Sequence, residues 1–151
     1  MSGSTYLRST LAAMGAVVFL GSAAASAEPG GGDRTWLENR GKAGYCLEPA
    51  GASVRMAPCT RQVNQLWEWG PDDGLLRSVG AGWCLTAHAG KPVVLESCAA
   101  GNPDQTWAYY YKYEVFEIYQ QPRALTAHAD SADVTTEPWH EGNAYQQWPD
   151  W

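Results

Sequence analysis

The sequence predicts an all-β domain made of three copies of one unit of about 40 residues. Three observations predict it. The motif Gln-x-Trp occurs as Gln65-Leu66-Trp67, Gln105-Thr106-Trp107 and Gln146-Gln147-Trp148, with the tryptophans following one another at 40 and then 41 residues. Cys84-Leu85-Thr86-Ala87-His88-Ala89 returns 40 residues later as Ala124-Leu125-Thr126-Ala127-His128-Ala129, and Cys46-Leu47-Glu48 stands 38 residues before Cys84. Finally, Gly and Pro punctuate short apolar or aromatic runs, and no segment keeps a helical period.

Each unit reads as four short strands. In the first they are Trp36-Leu37-Glu38, Tyr45-Cys46-Leu47, Ser53-Val54-Arg55-Met56 and Trp67-Glu68-Trp69. In the second, Leu75-Leu76-Arg77-Ser78 is followed by the turn Gly80-Ala81-Gly82, then Trp83-Cys84-Leu85-Thr86. Ala89-Gly90-Lys91-Pro92 turns again before Val93-Val94-Leu95-Glu96 and Trp107-Ala108-Tyr109-Tyr110. The third unit offers Val115-Phe116-Glu117-Ile118, Arg123-Ala124-Leu125-Thr126, Val134-Thr135-Thr136 and a last strand at Trp148, twelve in all. One such unit cannot bury its apolar face. Three can close around a common axis, which also reduces exposed sheet edges. The motif tryptophans with Leu47, Leu85 and Leu125 are the expected core, and the motif glutamines are placed to satisfy backbone groups beside them.

Residues 1–27 have the three parts of a secretory signal peptide: Arg8 near the start, the apolar run Leu11 to Leu20, and the small-x-small site Ala25-Ser26-Ala27. The run is shorter than the roughly 18 residues a membrane span needs. Secretion is therefore expected, without membrane insertion. Residues 28–34 read as a flexible leader, and 35–151 as the folded domain. All sixteen acids but only nine of the ten bases follow residue 27, so the mature chain carries a net charge of −7. An acidic domain without a basic stripe argues against nucleic acid or anionic membrane as partner. Every Trp and all Tyr but Tyr6 remain after cleavage, which excludes a disordered chain.

Four cysteines suit an oxidising compartment and permit three pairings. The repeat selects one bridge per unit, Cys46 with Cys59 and Cys84 with Cys98. A zinc site from all four is disfavoured by the absence of any Cys-x-x-Cys pair. In the third unit Ala124 and Trp139 stand where a bridge would be.

With Cys-Leu early in two units and Gln-x-Trp late in all three, the span from Thr35 to Trp148 resembles the ricin B-chain lectin family. The resemblance implies a β-trefoil and a secreted, non-catalytic carbohydrate-binding module. In that family each unit supplies an Asp two residues after the first Cys, an aromatic just before the second, and an Asn preceding the motif Gln. This chain has Glu48, Ala57 and Asn64-Gln65 in the first unit; Thr86, Glu96 and Asp104 in the second; Thr126, Glu137 and Tyr145 in the third. The resemblance thus makes Glu48, Asn64 and Gln65 the first candidate sugar site, although Asn64 also suits a turn cap. An alternative site is the cluster Trp139, His140, Asn143 and Tyr145, against which stands the simpler reading that Trp139 fills the space of the missing bridge. Tyr109 to Tyr113 form a second aromatic cluster, of which alternation can bury only part.

No catalytic motif is present, and no cofactor or metal is expected. His88 and His128, like Glu96 and Glu137, fall at equivalent places of different units and are not expected to meet. The expected partner is a glycan or polysaccharide bound by a monomer. The alternative is a trefoil that binds or inhibits a protein independently of sugar.

Overall fold

The computed structural model describes residues 33–149. The signal peptide and the leader up to residue 32 lie outside the described residues. Eleven strands are formed: β1 (Asp33–Trp36), β2 (Tyr45–Ala50), β3 (Ser53–Pro58), β4 (Leu66–Trp69), β5 (Leu76–Ser78), β6 (Cys84–Thr86), β7 (Val94–Glu96), β8 (Trp107–Tyr110), β9 (Val115–Ile118), β10 (Arg123–Ala127) and β11 (Val134–Pro138). Single 3-10 turns at Val63–Gln65 and Ala144–Gln146 precede two of the motif tryptophans.

The fold is the expected β-trefoil. Each unit gives one hairpin, β2–β3, β6–β7 or β10–β11. The pairs β4–β5 and β8–β9 carry the chain from one unit to the next. The hairpins close on one another through backbone bonds between units: Leu95 N–H to Ala52 O at 2.8 Å, Val93 N–H to Val134 O at 3.0 Å, and Met56 N–H to Ala132 O at 2.8 Å. Trp67, Trp107, Trp148, Leu47, Leu85 and Leu125 are buried in one core, as their repetition predicts. That core also takes Trp69, Tyr109 and Phe116, whose rings meet edge-on or tilted.

Three expectations are corrected. Asp33 and Arg34, read as leader, begin β1, paired with Trp69 and Glu68 and held by a 2.7 Å bond from Arg34 Nε to Glu68. The first strand accordingly ends at Trp36, and Glu38 keeps only an isolated bridge to Cys46. Finally, no strand forms at Trp148. Its N–H donates to Glu114 O at 2.7 Å, but the next residue, Pro149, has no N–H to continue a ladder.

Glu114 takes a left-handed conformation (φ 57°) where the second unit has Gly74 (φ 71°). The carbonyl of each receives the N–H of the following unit-ending tryptophan, Trp148 and Trp107 respectively, at 2.7 Å.

Candidate functional site

The motif glutamines have the same task in every unit, and it is internal. Each is fully buried. The side-chain oxygen accepts from the backbone of the loop after the hairpin: from Thr60 N–H at 2.7 Å for Gln65, Ala99 N–H at 2.8 Å for Gln105, and His140 N–H at 2.9 Å for Gln146. The amide nitrogen donates back to a hairpin carbonyl, that of Pro58, Ser97 or Pro138, at 3.0 Å in each case. Its second bond goes to the residue two after the first cysteine position: Glu48 at 2.9 Å, Thr86 at 2.9 Å, Thr126 at 3.1 Å. Each motif indole donates to a leucine carbonyl, those of Leu47, Leu85 and Leu125, at 2.9–3.0 Å.

Glu48, Asn64 and Gln65 are indeed brought together. Yet the Glu48 carboxylate is satisfied by the protein itself. Oε1 accepts from Arg55 Nε at 3.0 Å and Nη2 at 2.8 Å. Oε2 accepts from Gln65 at 2.9 Å and from Asn64 at 3.3 Å. These four bonds match the roughly four acceptor sites of a carboxylate, so none is left for a hydroxyl group. Arg55 is the residue that sequence reasoning missed. The signal was there: a turn centred on Gly51 puts Arg55 directly across from Glu48.

The second unit is arranged differently. His88 Nε2 lies 2.7 Å from Glu96 Oε1, and its Nδ1 lies 3.5 Å from Asp104 Oδ2. The three side chains are 38–44% exposed, against 10% for Glu48. Glu96 Oε2 and Asp104 Oδ1 have no hydrogen bond among the described residues. In the third unit His128 Nε2 lies 2.8 Å from Thr135 Oγ1, which donates to Glu137 at 2.9 Å. The two histidines thus serve separate carboxylates, as expected of residues in different units.

The third-unit residues are adjacent in the chain, but their side chains take different partners. Trp139 is half-buried, lies against Tyr113 at 5.1 Å between ring centroids, and walls a cleft rather than filling the core. Tyr145 lies against Gly41, where an added Cβ would come within 2.8 Å of its ring. Asn143 caps the last 3-10 turn through Tyr145 N–H, 3.1 Å away, while the His140 side chain is exposed. In the tyrosine cluster only part is buried, and alternation stops where β8 ends at Tyr110. Tyr109 is buried and its hydroxyl donates to Trp148 O at 2.9 Å, whereas Tyr110 and Tyr111 are exposed.

Both disulfides form as the repeat selects them, Cys46–Cys59 and Cys84–Cys98. A family model for the ricin-type beta-trefoil lectin domain matches residues 34–148. The chain belongs to the ricin-type β-trefoil lectin family. No curated protein matches its sequence. Among solved structures, the agglutinin from Abrus precatorius is similar at 22% identity and a TM-score of 0.67, covering 78% of this chain and 46% of the agglutinin. The β-trefoil lectin of the Vibrio vulnificus hemolysin/cytolysin, solved with N-acetyl-D-lactosamine bound, shares 23% identity at a TM-score of 0.62, covering 77% of this chain and 92% of that one. GalNAc-T7, solved with UDP, GalNAc and Mn2+, matches at 21% identity and a TM-score of 0.64 over 77% of this chain and 21% of its own. The lectin domain thus spans only about a fifth of that protein and under half of the agglutinin. No helix among the described residues is long and apolar enough to cross a membrane.

Proposed function

We propose that this protein is a secreted, non-catalytic carbohydrate-binding module with an atypical sugar site in its second unit. The carrying observation is the arrangement of Glu96 and Asp104. Both occupy positions that line the sugar pocket in this family, both are about 40% exposed, and each keeps a free carboxylate oxygen beside His88. A pair of acceptors on a fixed frame suits vicinal hydroxyls. Membership in a lectin family and the similarity to a trefoil with a bound lactosamine support the ligand class. The first unit is given a structural role, because Arg55 already occupies Glu48.

The test is a glycan array on the disulfide-intact protein, followed by titration of any hit. Glu96→Gln and Asp104→Asn should each weaken binding about tenfold or more, and Glu48→Gln should leave it unchanged. Binding lost with Glu48→Gln in a folded protein would return the site to the first unit. A blank array would sink the lectin reading. It would favour a protein partner, for which the exposed Tyr110, Tyr111 and Tyr119 are the candidate surface.

A further inference from the structure

The third unit lacks a disulfide, and its cleft holds a carboxylate with no partner among the described residues. Glu117 sits on β9 between two alanines, Ala108 across on β8 and Ala124 across on β10. Ala124 is the position of the first cysteine in the other units. With two methyl groups as neighbours, the side chain stands in a cleft of about 430 Å³. Tyr110, Tyr113 and Trp139 wall that cleft, with Pro122 and Pro138 completing an apolar lining. Glu117 is the one charged group in it. It makes no hydrogen bond or ion pair among the described residues, and burial holds its pKa above the usual carboxylate range.

The equivalent cleft of the second unit shows what is missing. It is lined by Arg34, Glu68, Arg77 and Cys98 of the bridge. At the place of Glu117 it has Arg77, paired with Glu68 and Cys84 as Glu117 is with Ala108 and Ala124, and Glu68 is neutralised by Arg34 at 2.7 Å. The third unit supplies no such cation. Lys112 is engaged with Tyr113, its Nζ 3.1 Å from the hydroxyl. Arg123 turns to Thr136, with Nε 3.3 Å from Oγ1 and Nη2 on the carbonyl.

We propose that the cleft of Glu117, Tyr110, Tyr113 and Trp139 binds an organic ammonium group, with the carboxylate as counter-ion and the three rings as its cage. An alkylated ammonium is the fitting class, because its apolar substituents match the ring faces while its charge meets both the ring quadrupoles and Glu117. A neutral ligand would leave the carboxylate desolvated and unpaired, and a metal ion would find a single carboxylate among mostly apolar walls.

The test compares choline with its uncharged isostere 3,3-dimethylbutan-1-ol, titrated into the protein and followed by backbone amide and indole NMR shifts. Choline should saturate shifts at Ala108, Glu117, Ala124 and the Trp139 indole, binding about tenfold or more tighter than the isostere. Glu117→Gln and Trp139→Ala should each weaken choline about tenfold, with shifts elsewhere unmoved. Equal affinity for the two compounds would overturn the proposal without recourse to any variant. So would choline binding that survives Glu117→Gln, or no saturable shift up to about 100 mM choline. A glycan that moves these signals where choline does not would make the cleft a sugar site and would equally overturn it.

Discussion

Arg55 holds Oε1 of Glu48 from both Nε and Nη2, at 3.0 and 2.8 Å, and so fills from within the protein the acceptor that a lectin of this family offers to its sugar. The other oxygen belongs to Gln65 and Asn64. Glu48 thereby joins the buried frame under the first hairpin.

Removing the two partners should therefore have unequal effects. Arg55 is 56% exposed, so Arg55→Ala should cost about 1 kcal/mol or less. Glu48→Ala strips buried Gln65 of an acceptor and should cost about 1–3 kcal/mol. Urea unfolding of both single variants and the double variant measures this directly. Equal losses would show that Glu48 contributes no more than a surface ion pair.

The motif glutamines should differ in weight between units. In the second unit the Cys84–Cys98 bridge also restrains the loop that Gln105 ties down. In the third no bridge exists, and the Gln146 bonds to His140 N–H and Pro138 O are joined only by a backbone bond from Trp139 N–H to Pro122 O at 3.3 Å. Gln146→Ala is thus expected to destabilise more than Gln105→Ala, by about 1 kcal/mol beyond the usual loss. Thermal unfolding of the two variants in parallel decides it, and the reverse order would show that the bridge adds nothing to loop retention.

Each disulfide closes a loop with a sequence separation of 13 or 14 residues, worth about 3 kcal/mol by restricting the unfolded chain. Full reduction should lower the melting temperature by about 10 °C or more. A scan with and without reductant, with thiols counted afterwards, tests this. An unchanged midpoint in a fully reduced sample would contradict it.

Two carboxylates should give opposite pH dependence. Burial raises the Glu117 pKa, so its contribution is best at pH below the ordinary carboxylate value and is lost as pH rises through the folded value. Glu117→Gln should thus raise the melting temperature by about 1–3 °C at neutral pH, and by nothing near pH 3. Asp73 behaves in the other sense. Burial pushes its pKa up, but the Arg77 guanidinium and the Leu75 N–H outweigh that and hold it below the usual range. Its stabilisation is present above the ordinary carboxylate value and fades as pH falls through the folded one, so Asp73→Asn should be destabilising at pH 7 and neutral in strong acid. Melting curves of both variants at the two pH values read both signs. A Glu117→Gln variant that is more stable yet binds choline less well would have exchanged a binding group for stability.

The sequence by itself determined the threefold frame. The Gln-x-Trp period placed Trp67, Trp107 and Trp148 in one core and paired Cys46 with Cys59 and Cys84 with Cys98. Those features are local or strictly periodic, and period is what a linear sequence records. The tertiary structure alone decided the rest. It sent Trp139 to Tyr113 and Tyr145 to Gly41, and set Glu117 between Ala108 and Ala124. The ring of the trefoil is likewise shut by buried Asn39, which donates to Tyr145 O at 2.9 Å and Gln147 O at 3.3 Å across more than a hundred residues. Strand alternation tells which face a side chain takes. Which charge or ring it meets there depends on strands from other units, brought alongside only when the three units close.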